Sequence, residues 1–306
     1  MVKNIEIFDT QVIKKLHVPP SNSSGEDNGQ VTIIGGSKLF HGAPLLSLKV
    51  ASRIVDMVFF ASPDPSVGKI AERVKSKLMS FILVPWDEVE HYIAKSDACL
   101  IGPGFMRFGS EKTPEEKRDH NNHSEGKQTY EITKRLLNKF PGKKWVVDAG
   151  SLQVIHPELL PKGCVITPNK KEFEMLFGRV EDLPARLDAK RADKAGQESI
   201  RVEEKAKEYG ITIVYKAPVT IVSNGVETIE VIGGNAGLTK GGTGDVLAGL
   251  TVALLAKNDP MLAASCASYL LKSAADELYK KVGTNYNADD LVESTPEIFF
   301  ELIKQY

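Results

Sequence analysis

Apolar residues in this chain fall mostly into short unbroken runs instead of alternating with polar ones. VTII (31–34), MVFFA (57–61), FILV (81–84), ACLI (98–101), WVVD (145–148), CVIT (164–167) and ITIVY (211–215) each read as a strand covered on both faces. Helical stretches, for example around 43–55 and 128–139, lie between them. That alternation predicts an α/β fold with a mostly parallel sheet and helices on both faces. The pattern changes near 211–232, where VTIVS (219–223) and TIEVI (228–232) crowd in after ITIVY. Asn224-Gly225 is a type I′ hairpin signal, so the sheet is expected to gain an antiparallel edge hairpin. Two helices should follow, over 243–257 and 260–281, the second with Pro260 in its first turn.

Two polar segments interrupt this order. Residues 107–130 (RFGSEKTPEEKRDHNNHSEGKQTY) and 181–208 hold too few apolar residues for a core and read as solvated insertions, the second helical in part. The first 30 residues end in PPSNSSGEDNGQ, a linker composition. No internal repeat is present. The expected organisation is a single domain over 1–306, with an N-terminal extension over 1–30 and a polar insertion over 107–130.

Composition narrows the partners. The chain has 306 residues, 42% hydrophobic and 26% charged, with a formal net charge of -1. Such a balance supplies no field to attract nucleic acid or an anionic membrane. No apolar run approaches the roughly 20 residues of a membrane span. The opening MVKNIEIFDTQVIKK lacks the apolar centre of a signal peptide, so a cytoplasmic location is expected. Cys99, Cys164 and Cys266 show no CxxC or zinc spacing and read as buried, reduced thiols. His120 and His123 lie in the polar insertion and read as surface loop. His41 reads as a structural histidine or a lining residue, and Trp86 and Trp145 as core or interface.

The densest chemical signal is LTKGGTGD (238–245), which runs into a helix apolar nearly all round, from Val246 to Leu255. A glycine-rich turn entering a helix presents unpaired N–H groups and the positive end of the helix dipole, an anion-binding arrangement. Gly241, Gly242, Thr243 and Gly244 would supply those N–H groups. Asp245 is the oddity, because a carboxylate repels phosphate. It suits a general base beside a hydroxyl that meets a phosphoryl group, or else it caps its helix. Two better-known motifs fail. A Walker loop needs Lys where Thr243 stands, and a GxGxxG fingerprint from Gly102 needs Gly where Arg107 stands. GxSxG and HExxH are absent.

GGSKLFHGAPLLSLKVA (35–51), CLIGPGF (99–105), VVDAGSL (146–152), TPNKKEFEML (167–176), YKAPVT (215–220) and GNAGLTKGGTGDVLAG (234–249) follow one another in a familiar order. Together they resemble the ADP- or ATP-dependent NAD(P)H-hydrate dehydratases of the ribokinase-like superfamily, over residues 31 to 281. The resemblance implies a ribokinase-like fold and repair of hydrated NADH and NADPH. In that chemistry the nucleotide, with Mg²⁺, phosphorylates the hydroxyl of the hydrated ring, and phosphate is then eliminated. Carried over, Asp245 would be the catalytic base and touch the substrate hydroxyl. Gly241 to Gly244 would hold the transferring phosphate. Lys216, Ala217, Pro218, Val219, Thr220 and Asn235 would belong to the nucleotide site. Ala43 and Gly104 would let the dinucleotide lie against backbone. Asp148, at a strand end, would face substrate or cap a loop.

The chain departs from the family at Asn169, where a His is usual, and at Phe105-Met106 after the GPG turn. Asn169 could still bond substrate. Asn169 and Glu172 form the NxxE of sugar and vitamin kinases in the same superfamily, where the Glu organises Mg²⁺ through water. Two other readings therefore stand beside the dehydratase: a small-molecule kinase and a non-catalytic nucleotide-binding protein. ADP and ATP are not distinguished, and a homo-oligomer, a tetramer, is expected by analogy alone.

Overall fold

The computed structural model describes residues 5–108, 124–178 and 194–304. His120 and His123, most of the 107–130 segment and residues 181–193 lie outside them. The strands are β1 (Glu6–Ile7), β2 (Gln30–Ile34), β3 (Met57–Ala61), β4 (Ile82–Leu83), β5 (Ala98–Ile101), β6 (Lys144–Val147), β7 (Val165–Ile166), β8 (Thr212–Tyr215), β9 (Thr220–Ser223) and β10 (Thr228–Val231). They form one sheet in the order β1-β10-β9-β8-β7-β6-β5-β2-β3-β4. β9 runs antiparallel to both neighbours, and every other pairing is parallel.

The helices are α1 (Gly42–Ala51), α2 (Pro65–Val74), α3 (Val89–Lys95), α4 (Ser124–Lys139), α5 (Ala149–Leu152), α6 (Lys170–Phe177), α7 (Lys194–Tyr209), α8 (Thr243–Leu255), α9 (Pro260–Val282) and α10 (Ala288–Lys304). Continuous apolar strands need cover on both sides. In β5, Ala98 and Leu100 pack into the core shared with α1, α2, α8, α9 and α10. Cys99 and Ile101 pack into the core shared with α3 to α7. The sheet is therefore sandwiched as the apolar runs predicted. Pro260 opens α9, and the Asp259 side chain accepts from the N–H groups of Met261 and Leu262. All three cysteines are buried and free, with burial pushing each thiol up to about 12. Trp145 is fully buried, its ring N–H donating to Phe140 O at 2.9 Å.

Four expectations are corrected. The β9–β10 connection is not a two-residue I′ turn. Ser223 pairs with Thr228, and Asn224 Oδ1 accepts from the N–H groups of Val226 and Glu227 at 2.9 Å each. Gly225 takes a φ of +80°, while Asn224 stays outside the positive region that an I′ turn requires of it. The hairpin is also not the edge, because β1 pairs with β10 beyond it. The linker-like N-terminal segment is tied down. Phe8 stacks on Tyr269 at 4.9 Å, Ile13 is buried, and Asn28 N–H donates to Asp56 at 2.9 Å. Finally, residues 124–130 are not a solvated insert but the first turns of α4, where the buried Thr129 hydroxyl bonds Met106 O at 2.7 Å.

Candidate active site

Parallel strands deliver their C-terminal ends to one rim, and the loops after β2, β5, β6, β7 and β8 meet there. Their backbones interlock. Gly102 has a φ of +119°, and a Cβ on it would lie 1.9 Å from Asp148 O. No other residue fits. A Cβ on Gly104 would lie 2.4 Å from Phe40 O, so the smallness of Gly104 is needed first for loop-on-loop packing. Ala149, directly after Asp148, holds a φ of +47°, a left-handed conformation costing an Ala about 1 kcal/mol.

This interlocking aims a cluster of charges. Asp148 is fully buried at the end of β6; its Oδ1 accepts from the Thr167 hydroxyl at 2.7 Å and from Lys216 Nζ at 3.0 Å. It occupies the N-cap position of α5 but makes no side-chain capping bond, so the loop-cap reading gives way to an ion pair. Lys216 Nζ also lies 3.7 Å from Glu172 Oε2. Burial works to lower the Lys216 pKa, but Asp148 and then Glu172 hold it above its ordinary value. Asn169 and Glu172 form a capping box at the start of α6, with Glu172 Oε2 accepting from Asn169 N–H at 2.9 Å. Gln153 Nε2 donates to Glu172 Oε1 at 2.9 Å. The NxxE spacing thus has a local structural purpose.

Asp245 stands across from this cluster, in the first turn of α8. The N-cap position of α8 is Gly242, which has a φ of +93° and no side-chain cap, so Asp245 is not the cap of its helix. The α1–α8 contact fixes its backbone: the Ser47 hydroxyl donates to Asp245 O at 2.7 Å and reaches Ala43 O at 3.4 Å, which sets Ala43 beside Asp245. The helix dipole and Lys216 both favour the carboxylate. Desolvation outweighs them, Asp148 and Glu172 add like-charge repulsion, and the pKa rises from 3.8 to about 7. A Cβ on Gly244 would meet Lys216 Nζ at 3.3 Å, so the ammonium lies against the glycine loop.

Beside the cluster lies a cavity of about 740 Å³. Of the residues assigned from sequence, Asn169, Lys216, Ala217, Pro218, Thr220, Asn235, Thr243 and Gly244 line it. Ala43, Gly104, Asp148, Glu172, Val219, Gly241, Gly242 and Asp245 do not. Val219 turns outward at 37% exposure. Two lining residues spend their polar atoms on the protein. Asn235 Oδ1 accepts from Gly237 N–H and the Tyr286 hydroxyl, at 3.0 and 2.7 Å. The Thr243 hydroxyl donates to Leu238 O and Lys240 O, at 2.7 and 2.9 Å. Both therefore shape the loop, and what Thr243 offers a ligand is its backbone. His41 bonds Ser66 at 3.2 Å, which suits its structural reading.

Four residues of this region escaped the sequence reading: Thr167, Gln153, Lys240 and Lys272. Lys240 resembles a phosphate lysine by position but donates to Tyr286 O at 2.5 Å and to Thr284 O. Lys272 was detectable in principle as one lysine amid the apolar stretch of α9.

A family model described as NAD(P)H-hydrate dehydratase matches residues 31–297. The ADP-dependent (S)-NAD(P)H-hydrate dehydratase of Nitrosopumilus maritimus is 32% identical over 306 aligned positions, covering 94% of each chain. The bifunctional NAD(P)H-hydrate repair enzyme of Methanocaldococcus jannaschii is 33% identical over 94% of this chain but only 51% of that protein, so this chain spans about half its length. Among solved structures, the ADP/ATP-dependent NAD(P)H-hydrate dehydratase from Bacillus subtilis, co-crystallised with ATP/Mg²⁺, superposes with a TM-score of 0.74 at 20% identity, over 98% of this chain and 99% of that one. The shared architecture is the ribokinase-like fold.

Proposed function

Because this chain belongs to the NAD(P)H-hydrate dehydratase family, we propose that it repairs hydrated NADH and NADPH with ADP or ATP as phosphoryl donor, and that Asp245 is its catalytic base. The observation that carries the assignment is the placement of Asp245. A carboxyl raised to about 7 faces a lysine ammonium at a helix N-terminus, next to a cavity large enough for a nucleotide. A base is most effective when its pKa lies near the working pH.

Asp245 takes the proton of the ring hydroxyl as its oxygen forms a bond to the terminal phosphorus of the nucleotide. The bond from that phosphorus to the leaving nucleotide oxygen breaks. The N–H groups of Gly244 and its neighbours, together with Lys216, meet the negative charge on the transferring group. In the second step the ring C–O bond breaks, phosphate leaves with the electron pair, and the adjacent ring carbon gives its proton to water, its C–H pair becoming the double bond. Asp148, itself bonded by the Thr167 hydroxyl, holds Lys216 in place throughout. Ala43, beside Asp245, and Gly104 border the side from which the dinucleotide approaches.

Among the described residues no group of three or more His, Cys, Asp or Glu side chains is arranged to hold a metal ion directly. Asp148 is engaged by Lys216, and Glu172 by its capping box. This donor set suits a Mg²⁺ that would come with the nucleotide, which Glu172 and Asp245 would hold through water instead of by direct ligation. Bound there, Mg²⁺ would supply charge neutralisation on the phosphates. The kinase reading rested on NxxE, and the capping box accounts for that spacing without a kinase.

The test is spectroscopic. Purified chain is mixed with enzymatically hydrated NADPH, Mg²⁺ and either ADP or ATP, and the dihydronicotinamide absorbance is followed. Nucleotide-dependent recovery in the wild type, absent in Asp245→Asn, is the expected result. No recovery with either nucleotide, or a fully active Asn variant, would overturn the assignment.

A further inference from the structure

Lys272 lies inside α9 and is only 5% exposed. A buried ammonium is unfavourable unless its protons are used. Its Nζ donates to Pro218 O at 2.6 Å and to Gly233 O at 2.9 Å. Those carbonyls belong to the two backbone segments that wall the cavity: the 216–220 turn joining β8 to β9, and the turn after β10 that leads into the glycine loop. One helical turn later, Asp276 accepts from Gly234 N–H at 2.9 Å and from Asn235 Nδ2 at 3.3 Å. α9 thus holds the second segment through both residues, and Lys272 joins it to the first. Lys272 itself lines the cavity.

We propose that Lys272 is a positioning residue of the nucleotide site: its ammonium ties the 216–220 turn to the Gly233 turn, sets the separation of the cavity walls, and makes nucleotide affinity depend on its charge. The inference rests on the reading of this cavity as the nucleotide site. A protonated amine bonds carbonyls about twice as strongly as a neutral donor does. Burial lowers the Lys272 pKa to about 8 against the opposing pull of Asp276, so the charge is lost within an accessible range. The other charged groups around the cavity do not mimic this. Lys216 is held above its ordinary value by Asp148 and Glu172, Lys240 is committed to Thr284 and Tyr286, and Asp245 changes charge lower, near 7. Burial raises the Tyr286 hydroxyl, which bonds Asn235. The phosphates of a nucleotide finish ionising below the window as well.

The experiment measures binding of ADP and of ATP with Mg²⁺ by calorimetry, without hydrated substrate, from about pH 7.5 to about pH 9.5. Wild-type affinity should fall about tenfold across that range. Lys272→Arg should keep its affinity flat, because guanidinium stays charged. Lys272→Met should start about tenfold weaker and also stay flat. If the Met variant does not fold, the wild-type and Arg curves carry the comparison. Flat wild-type binding, a parallel fall in the Arg variant, or a Met variant that follows the wild-type curve would each overturn the role of Lys272 while leaving the nucleotide site standing. A wild-type chain that binds neither nucleotide at any pH would remove the nucleotide reading and this inference with it.

Discussion

Asp245→Asn removes a charge while keeping the side chain's shape, and the structure assigns that change a sign as well as a size. The carboxyl rises from 3.8 to about 7, through burial first and the charge of Asp148 second, against the opposing charge of Lys216. At about 1.4 kcal/mol per unit, holding Asp245 ionised costs the folded state about 4 kcal/mol. The side chain keeps partial access to water, so about half of that, roughly 2 kcal/mol, is the figure to expect. A carboxyl with a higher pKa in the folded chain binds its proton more tightly when folded. Wild-type stability should therefore fall as pH rises from about 4 to about 7, and stay at the lower level above it. The Asn variant lacks this slope. Above neutrality it should be more stable than wild type by roughly 2 kcal/mol, and the difference should shrink as pH falls towards about 4. Urea denaturation of both proteins at several pH values measures this. An Asn variant less stable than wild type at about pH 8, or a difference that ignores pH, would refute the account of Asp245. Loss of turnover in the same, more stable protein would be the exchange of stability for function expected at an active site.

Lys216→Met removes the cation that lowers Asp245, so the acid limb of the pH–rate profile should move upward and nucleotide affinity should weaken; an unmoved limb would count against the pairing. Gly102→Ala drives a methyl group into Asp148 O and forces a residue with a Cβ to a φ of +119°, so a loss of several kcal/mol (about 3 or more) should appear in denaturation, along with displaced Lys216 and lower activity. An Ala variant as stable as wild type would mean the interlocked loops are not as tight as described.

Much of the molecule was legible in the chain because the information is local. Unbroken apolar runs such as ACLI (98–101) announce a strand buried twice, and the structure packs Cys99 and Leu100 into opposite cores. The glycine loop running into an apolar stretch announced the start of α8 at Thr243, and six motifs in order announced the family. Other features were illegible because they depend on residues distant in sequence. β1 is two residues long and exists by pairing with the distant β10, Glu6 against Ile229 and Ile7 against Glu230. Asn224-Gly225 looked like an I′ turn because pair preferences do not reveal that the Asn side chain will bond its own loop. The capping box that Asn169 and Glu172 form was not read from NxxE, because spacing alone does not show which backbone groups the two side chains will bond.

By itself, then, the sequence determined the sandwiched parallel sheet, the glycine loop and the choice of Asp245 as the residue to watch, since each follows from periodicity and backbone chemistry within a short segment. Tertiary structure alone decided what Asp245 is chemically. Its proton affinity is set by burial and by Asp148, Lys216 and Glu172, which arrive from the ends of β6 and β8 and the start of α6. It likewise converted Asp148 from a cap into the anchor of Lys216, and Lys272 from a stray polar residue in a helix into the link between two cavity walls. Electrostatic and hydrogen-bond energies depend on distance in space, and only folding turns Asp148 and Lys216, 68 positions apart, into neighbours at 3.0 Å.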